Sequence, residues 1–345
     1  MAVLFFVLSG EHPTLPFAEL EAVLKVEGIK FETSQKLTQV ARIKTDLASA
    51  NVATTRCAMV KISCLELLHC QAEQYSIIHG MKEIKLESLL HPNRSFAVRI
   101  KRIRGSSPYL DVEKLEREIG RIVVSRVRGI KVNLEKPSET LLGVLTDKEF
   151  LLGLKLAEKP VKPFFERQLR KRPFFHPAAL HPKLARCMVN LARTKRDHTI
   201  LDPFCGTGSL LIEAGIIGCQ VLGSDIKGWM VMGSKENLRH FGIEPAGLVV
   251  ADACKLPFTH ADRVITDPPY GRLATTLGQT TGGLLAKFFS TAGEILPIEG
   301  CLCLAAPRTV KVREIGESYG FKFIESHFVY VHRSLTREIA VFKTR

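Results

Sequence analysis

The chain has 345 residues, of which 46% are hydrophobic and 24% are charged. This apolar fraction excludes a disordered or low-complexity polymer, and the length is too great for one ordinary domain of ~100–200 residues. Lysines and arginines number 49 against 35 aspartates and glutamates, a net charge of +14. Residues 1–90 have a net charge of −1, residues 91–172 of +10 and residues 173–345 of +5. A positive region of domain size indicates a polyanionic partner. Nucleic acid is the first candidate and an anionic membrane surface the second.

The nine cysteines and eleven histidines lack the spacing of a metal site. The cysteines lie mostly in apolar segments, which indicates free thiols in a reducing compartment rather than disulfides or bound zinc. The first apolar run, residues 3–8, has no basic segment before it and is followed by Glu11 and His12, so a strand is expected and not a signal peptide. No run approaches the ~18 apolar residues of a membrane span. We expect a soluble, cytoplasmic protein that binds no metal and no membrane.

The first two regions alternate short strands and helices, as small α/β domains do. Residues 1–90 begin with a predicted strand at Ala2–Leu8 and an amphipathic helix at 16–26. Residues 91–157 contain predicted strands at 95–100, 131–134 and 141–145 and a helix at 111–126 with Asp111 as its N-cap.

Basic side chains are concentrated in the second region, where Arg99, Lys101, Arg102 and Arg104 lie at one end of its first predicted strand. Any single one of them is explained as well by a solvated charge paired with glutamates of the helix. Ten surplus charges in one block favour a nucleic-acid surface instead.

Residues 158–172 are predicted to form a linker, and residues 173–345 a doubly wound α/β domain. The predicted strands of this domain lie near 199–202, 221–225, 248–251, 264–266 and 301–305, followed by an antiparallel hairpin at 321–331 and 335–342.

The first motif, at residues 202–209, is Asp-Pro-Phe-Cys-Gly-Thr-Gly-Ser between a strand and a helix. Gly206 and Gly208 let the backbone bend sharply and approach a ligand closely. A lone G-x-G is weak, because dehydrogenases and structural turns share it, but the third glycine of a dinucleotide fingerprint is absent here. Asp202 disfavours a phosphate and suits a cationic amino-acid group.

Acidic residues also end the next two predicted strands. Asp225 is placed to accept both hydroxyls of a ribose, and Asp252 to accept from an adenine amine. The implied ligand has a nucleoside and a positive amino group but no phosphate, which fits S-adenosylmethionine. The expected cofactor site comprises Asp202, Phe204, Cys205, Gly206, Thr207, Gly208, Asp225, Ile226, Asp252, Ala253, Asp267 and His176.

Two of these assignments have alternatives. His176, with Phe174 and Phe175, is expected to cover the cofactor or flank the target base, and core packing is the alternative for the aromatic rings. Cys205 could instead act as a nucleophile, but no partnering base is visible near it in the sequence.

The second motif, at residues 267–271, is Asp-Pro-Pro-Tyr-Gly and follows the fourth predicted strand of the domain. Methylation of an exocyclic amine is difficult because the nitrogen lone pair is delocalised into the ring. Asp267 and the Pro268 carbonyl can each accept one N–H and turn the lone pair toward a sulfonium, while Pro268 and Pro269 hold that carbonyl rigidly. Tyr270 can stack on the base, worth roughly 1–3 kcal/mol. A plain Pro-Pro turn is the alternative, which the G-x-G turn at this spacing disfavours.

Together the two motifs resemble the class I, S-adenosylmethionine-dependent amino methyltransferases of the D/N-P-P-Y type. Residues 172–186 are similar to the segment before the sheet in their THUMP-containing RNA branch. The run 266–272 with Gly278 is most similar to archaeal tRNA guanine-10 N2-methyltransferases, which form N2-methyl- and often N2,N2-dimethylguanosine. Lys227 departs from the family pattern, because relatives often have a second acidic residue after Asp225.

The resemblance implies a ferredoxin-like domain at 1–90, a THUMP RNA-binding domain at 91–157, a linker at 158–172 and a Rossmann-like, seven-stranded class I methyltransferase domain at 173–345. It implies that tRNA is the substrate and that the target base leaves its helix to reach the site. The residues expected to carry catalysis are Asp267, Pro268, Pro269 and Tyr270, and those expected to contact RNA are Arg99, Lys101, Arg102, Arg104 and Arg272.

Other functions share part of this pattern. The same chemistry could act on a guanine at another tRNA position or in ribosomal RNA. A protein glutamine or DNA adenine methyltransferase leaves the basic block unexplained. An RNA-binding protein with an inactive methyltransferase domain would explain the charge but not the intact acidic and glycine residues of both motifs.

The strand predicted from Leu248 to Ala251 is expected at a sheet edge, yet it has no charged residue to block further pairing. We expect it to be covered either by a helix of the same chain or by a small zinc-binding activator protein, of the kind that related eukaryotic enzymes use.

Overall fold

The computed structural model of the chain describes residues 1–269 and 280–345. The chain divides into two compact units: the first comprises residues 1–17, 28–55 and 60–159, and the second residues 18–27, 56–59 and 160–345. Tyr270, Gly271, Arg272 and Gly278, to which the sequence assigns roles, lie outside the described residues.

Residues 1–159 form short strands and helices close to the predicted bounds. The elements are β1 (Ala2–Leu8), α1 (Leu15–Val26), β2 (Phe31–Leu37), β3 (Val40–Thr45), α2 (Ser49–Arg56), β4 (Val60–Gln71), α3 (Gln74–Glu83), β5 (Ser95–Arg102), α4 (Val112–Arg126), β6 (Lys131–Val132), β7 (Glu139–Thr146) and β8 (Glu149–Glu158). Asp111 caps α4 as predicted, because its Oδ1 accepts a hydrogen bond from the Lys114 amide at 3.0 Å.

The strands of the first unit form one eight-stranded sheet in the order β2-β3-β1-β4-β8-β7-β5-β6. β4 pairs antiparallel with β8, which joins the strands before residue 90 to those after it. Side chains of α3 and α4, among them Met81 and Ile119, are buried with Phe96 and Phe150 of the sheet. The boundary predicted at residue 90 therefore falls inside one sheet and one compact unit. A sequence pattern shows which segments are strands but not which distant strands pair.

Residues 160–345 follow the predicted alternation of strands and helices. The elements are α5 (Lys162–Glu166), α6 (Pro182–Leu191), β9 (Thr199–Asp202), α7 (Ser209–Ile217), β10 (Gln220–Asp225), α8 (Gly228–His240), β11 (Gly247–Val250), β12 (Arg263–Thr266), α9 (Thr281–Ile295), β13 (Cys301–Pro307), α10 (Val312–Ser318), β14 (Lys322–His332) and β15 (Leu335–Lys343).

These strands form a seven-stranded sheet in the order β11-β10-β9-β12-β13-β15-β14. The first five are parallel, and β15 is antiparallel to both of its neighbours, as the predicted closing hairpin requires. The strand order reverses between β9 and β12. Ligands of open α/β sheets bind at such a switch point, outside the carboxyl ends of the strands. The predicted class I methyltransferase architecture is confirmed.

Residues 160–172, most of the predicted linker, belong to the second unit. Arg167 donates to Glu213 of α7 at 2.7 Å, and Arg186 of α6 donates to the same carboxylate at 2.9 Å. Arg172 is 5% exposed and donates to Ser209 Oγ at 2.7 Å. Basic side chains are usually exposed, so no sequence pattern indicates that this segment is anchored to α7 by a buried glutamate.

Across residues 1–269 and 280–345 the structure contains no helix that is long and apolar enough to cross a bilayer. The nine cysteines are free thiols.

Candidate active site

Three carboxylates come together at the carboxyl ends of neighbouring parallel strands. Asp202 ends β9, Asp225 ends β10, and Asp267 follows β12 directly. β9 lies between the other two strands, so the site falls on the switch point of the sheet. The sequence predicted all three acids, and the fold places them at one edge.

The loop between β9 and α7 bends through two glycines with positive φ, Gly206 at +49° and Gly208 at +79°. A Cβ at Gly208 would come within 2.5 Å of Ser234 Oγ, so any other residue here would displace that hydroxyl and would also be strained by the positive φ. At Gly206 the nearest atom to such a Cβ would be the Phe204 carbonyl oxygen at 3.9 Å. Open space therefore lies over Gly206, where a ligand can approach the backbone.

Asp225 is oriented by two backbone amides. Its Oδ2 accepts from the Gly206 amide at 3.1 Å, and its Oδ1 accepts from the Lys227 amide at 2.9 Å. Lys227, where the sequence departs from the expected family pattern, helps to fix Asp225 through its backbone amide. The Lys227 ammonium lies 5.8 Å from the centre of the Trp229 ring.

Asp202 is 2% exposed. Its Oδ1 accepts from Thr266 Oγ1 at 2.7 Å and from the Phe204 amide at 3.1 Å. Burial, and to a lesser extent the negative charges of Asp267 and Asp225, raise the pKa of Asp202 to about 7 despite these two hydrogen bonds. A cationic ligand beside these acids would relieve that unfavourable charge.

The remaining predicted cofactor residues line the same edge. Asp252 follows β11, and its Oδ1 accepts from the Cys254 amide at 2.9 Å, while Ala253 is buried. Ile226, directly after Asp225, is 43% exposed and presents an apolar surface. Thr207 is buried within the glycine loop.

Phe204 and Cys205 anchor the glycine loop to the core. The Phe204 ring packs edge-on against Phe288 of α9, with the ring centres 5.7 Å apart. Cys205 is 4% exposed, and burial raises the pKa of its thiol well above the usual value, so the thiolate is scarce near neutral pH. This disfavours the nucleophile alternative.

The aromatic segment before α6 packs against α8. The rings of Phe174 and His176 each lie 5.9 Å from the Trp229 ring, and a Cβ on Gly233 would fall within 2.1 Å of the Phe174 ring. Phe174 is thus a packing residue. His176 is half-buried, and its ring lies beside the Trp229 ring.

Asn237 of α8 joins this segment to the glycine loop, a role the sequence analysis missed. Its side-chain amide accepts from the Phe174 amide at 3.0 Å and donates to the Phe174 carbonyl at 2.9 Å and the Thr207 carbonyl at 3.0 Å. Nothing in the helix pattern marks an asparagine as buried, so this contact needed the structure.

Arg337 has a contact with the predicted catalytic carboxylate that neither motif indicates. Its guanidinium lies 3.5 Å from Asp267 Oδ2, and both side chains are largely buried. β15 places it there, because Arg337 lies opposite Pro307 at the end of β13, next to β12. Of the other predicted catalytic residues, Pro268 is buried and Pro269 half-buried, and Tyr270 lies outside the described residues.

The predicted RNA-binding residues lie on β5 and the turn after it, in the first unit. Lys101 and Arg104 are exposed. Arg99 donates to the Leu134 carbonyl at 2.5 Å. Arg102 donates to the carbonyls of Ser106 (2.9 Å), Ser107 and Leu110 (2.5 Å), so its guanidinium holds the following loop. Arg272 lies outside the described residues.

The carboxylates and the glycine loop at this edge of the sheet fit a nucleoside with a positively charged tail. Asp225 and Asp252 offer acceptors to hydroxyls and an amine, Gly206 leaves room over the loop, and buried Asp202 favours a positive charge. Among residues 1–269 and 280–345 no cluster of three potential metal ligands occurs.

Known proteins with similar sequences or structures are methyltransferases. Residues 170–339 match the UPF0020 family model, an RMKL-like methyltransferase domain. A tRNA (guanine(10)-N2)-dimethyltransferase of Methanothermobacter thermautotrophicus is 38% identical over 338 residues, which are 98% of each chain. One of Pyrococcus abyssi is 39% identical over 239 residues, 68% of this chain and 70% of the relative. The crystal structure of TrmN from Thermus thermophilus has the same fold, with a TM-score of 0.56, 20% identity and coverage of 99% of this chain and 100% of that one. The chain belongs to the tRNA (guanine(10)-N2)-methyltransferase family of S-adenosylmethionine-dependent enzymes.

Proposed function

We propose that this enzyme methylates the exocyclic N2 amine of guanosine 10 in tRNA, giving N2-methylguanosine and then N2,N2-dimethylguanosine. The names of its archaeal relatives support the substrate and the position. The observation that carries the chemistry is the Asp267 carboxylate beside buried Asp202 at the switch point of the sheet. Asp267, which can accept hydrogen bonds from an amine, is thereby adjacent to Asp202, which favours a positive charge.

Asp267 and the Pro268 carbonyl accept the two N–H bonds of the amine and hold its lone pair out of conjugation with the ring. Bound S-adenosylmethionine supplies the methyl group. As the N–C bond forms and the C–S bond breaks, the amine nitrogen gains positive charge, which the Asp267 carboxylate stabilises. Asp267 then takes up the proton that this nitrogen loses. Positioning and charge account for the rate, and the chain needs no covalent intermediate.

Asp202, Asp225 and Asp252 hold the cofactor through its amino group, ribose and adenine. The loop residues Phe204, Cys205, Thr207 and Ala253 shape its binding surface, with Ile226 and His176 at the sides. Support for these roles comes from the open space over Gly206 and from the two amides that orient Asp225.

The first unit is proposed to bind the tRNA, with residues 91–157 acting as a THUMP domain and residues 1–90 as its ferredoxin-like companion. Exposed Lys101 and Arg104 are available to phosphates, and Arg99 and Arg272 are further candidate contacts. The target guanosine must leave its helix to reach Asp267. With nine free thiols, the enzyme is proposed to work in the reducing cytoplasm.

We retain a small zinc-binding activator protein as a proposed partner at β11. This strand is at the edge of the sheet among the described strands, and Val250 on it is 59% exposed. Trp229 and Met232 of the neighbouring helix α8 are 51% and 67% exposed, which extends the apolar surface. Val250→Asp should abolish capture of the activator but leave S-adenosylmethionine binding intact. Full activity of the enzyme as a lone monomer would contradict this partner.

The function is tested by incubating the enzyme with S-adenosylmethionine and unmodified tRNA, digesting the tRNA and mapping methylated nucleosides by mass spectrometry. We expect N2-methyl- and N2,N2-dimethylguanosine at position 10. Methylation at another tRNA position or only in ribosomal RNA would replace the proposed substrate. Binding of RNA without methyl transfer or cofactor binding would show an inactive methyltransferase domain.

A further inference from the structure

A cleft of about 390 Å³ opens at the end of β13, between the turn into α10 and the tip of the β14–β15 hairpin. We call it the hairpin cleft. Its polar lining consists of two arginines and three hydroxyl side chains: Arg308, Thr309, Arg333, Ser334 and Thr336. Guanidinium and hydroxyl groups are the donors that proteins most often direct at phosphate oxygens.

The two arginines keep their charge available. Both are exposed, and within the described parts of the chain neither forms an ion pair with a carboxylate. Arg308 is positioned by its backbone, whose amide donates to the Thr336 carbonyl at 2.9 Å, and by the Phe328 ring, whose centre lies 5.2 Å from its guanidinium. An arginine that is held in place without an anionic partner is suited to receive an external anion.

The lining of the hairpin cleft adjoins, along β15, the arginine that contacts the catalytic carboxylate. Thr336 of its lining is followed directly by Arg337, whose guanidinium lies 3.5 Å from Asp267. Pro307, which also lines the hairpin cleft, lies opposite Arg337 across β13 and β15. A nucleotide held at Asp267 would therefore have its own backbone near the hairpin cleft.

We propose that the hairpin cleft binds a phosphodiester of the RNA next to the flipped target nucleotide, through Arg308 and Arg333. The proposal rests on the proposed function, because it takes the target base to be at Asp267. It gives the catalytic unit an RNA contact of its own, separate from the basic residues of the first unit. The hairpin cleft would hold the extruded nucleotide in place while the first unit binds the body of the tRNA.

The test compares the double variant Arg308→Ala/Arg333→Ala with the control Arg196→Ala/Arg239→Ala, which removes the same charge. The control residues are exposed and lie near the amino ends of the parallel strands, Arg196 before β9 and Arg239 at the end of α8. In the cleft variant we expect the Kd for tRNA to rise about tenfold and the slope of log Kd against log salt to fall by about two. S-adenosylmethionine affinity should stay within twofold of wild type in both variants.

The double replacement Arg308→Lys/Arg333→Lys should keep the salt slope while recovering only part of the affinity, because lysine lacks the forked donors. Equal tRNA affinity and equal salt slope in the cleft and control variants would overturn the proposal. Because binding is measured without turnover, this outcome is distinct from failure of the proposed function. That failure would appear as wild-type enzyme that binds tRNA and transfers no methyl group.

Discussion

At the scale of single residues, Asp202 is a buried carboxyl whose charge is left for a ligand to neutralise. Among the described residues no cation lies within ion-pair distance of it, and its pKa is raised from 3.8 to about 7 by burial and by Asp267 and Asp225. The folded protein therefore holds a proton that the unfolded chain has lost between about pH 4 and pH 7. Stability of the cofactor-free protein should fall as the pH rises through this window, by on the order of 4 kcal/mol in total.

Asp202→Asn separates charge from hydrogen bonding, because its remaining oxygen still accepts from Thr266 and Phe204. We expect the variant to melt at a higher temperature than wild type at pH 8 without cofactor, and at a similar temperature near pH 4. Its affinity for S-adenosylmethionine at pH 8 should fall at least tenfold. Thermal melts and calorimetry measure both effects, and unchanged cofactor affinity would contradict the role of Asp202.

Arg337 is expected to keep Asp267 ionised and oriented. Replacing it with methionine removes the positive charge and raises the pKa of Asp267. The acid limb of the kcat–pH profile should then move to higher pH, and Arg337→Lys should move it part of the way back. The profile is measured at saturating tRNA, and a limb that does not move would show that Arg337 acts on the structure alone.

At the scale of elements, α8 supports the site from outside it. Asn237 connects the segment at Phe174 with the glycine loop at Thr207, so one side chain fixes two stretches of backbone. Asn237→Ala should cost about 1–3 kcal/mol in unfolding free energy, because it leaves buried backbone groups without partners.

The same variant should also weaken S-adenosylmethionine binding several-fold, since the glycine loop loses its support. Glu236→Ala, at an exposed position one residue earlier on α8, is the matched control and should change neither quantity. Denaturant melts and calorimetry on both variants decide the point. Equal behaviour of the two would mean that Asn237 does not position the loop.

The elements themselves were largely predictable, and their partners were not. Alternating apolar runs located β9 to β15 within one or two residues, and the strand-end acids Asp202, Asp225 and Asp267 followed from the motifs. The pairing of β4 with β8 and of Arg337 with Asp267 joins residues far apart in sequence. A pattern of local periodicity contains no information on such contacts.

At the scale of the whole molecule, the net charge overestimates the number of basic side chains that are available to bind RNA. Residues 91–172 have a net charge of +10. Several of their arginines serve the fold: Arg102 holds a loop, Arg126 pairs with Glu87, and Arg167 pairs with Glu213. Exposed Lys101 and Arg104 remain the better candidates for phosphate contacts.

Lys101→Ala/Arg104→Ala should raise the Kd for tRNA about tenfold and lower the salt slope by about two. Lys30→Ala/Lys44→Ala, exposed residues of the region whose net charge is −1, is the control and should have little effect. Arg102→Ala should instead lower the melting temperature, because three carbonyls lose their donor. If the first two variants bound tRNA alike at every salt concentration, β5 would not be part of the RNA surface.

We propose above all that the exocyclic amine of guanosine 10 accepts the methyl group at Asp267. Inosine is guanosine without that amine, so a tRNA with inosine at position 10 tests the claim with a minimal change of substrate. Methyl transfer from labelled S-adenosylmethionine should occur with guanosine at this position and be absent with inosine, while both tRNAs bind with similar affinity. Equal transfer to the two tRNAs would contradict the account.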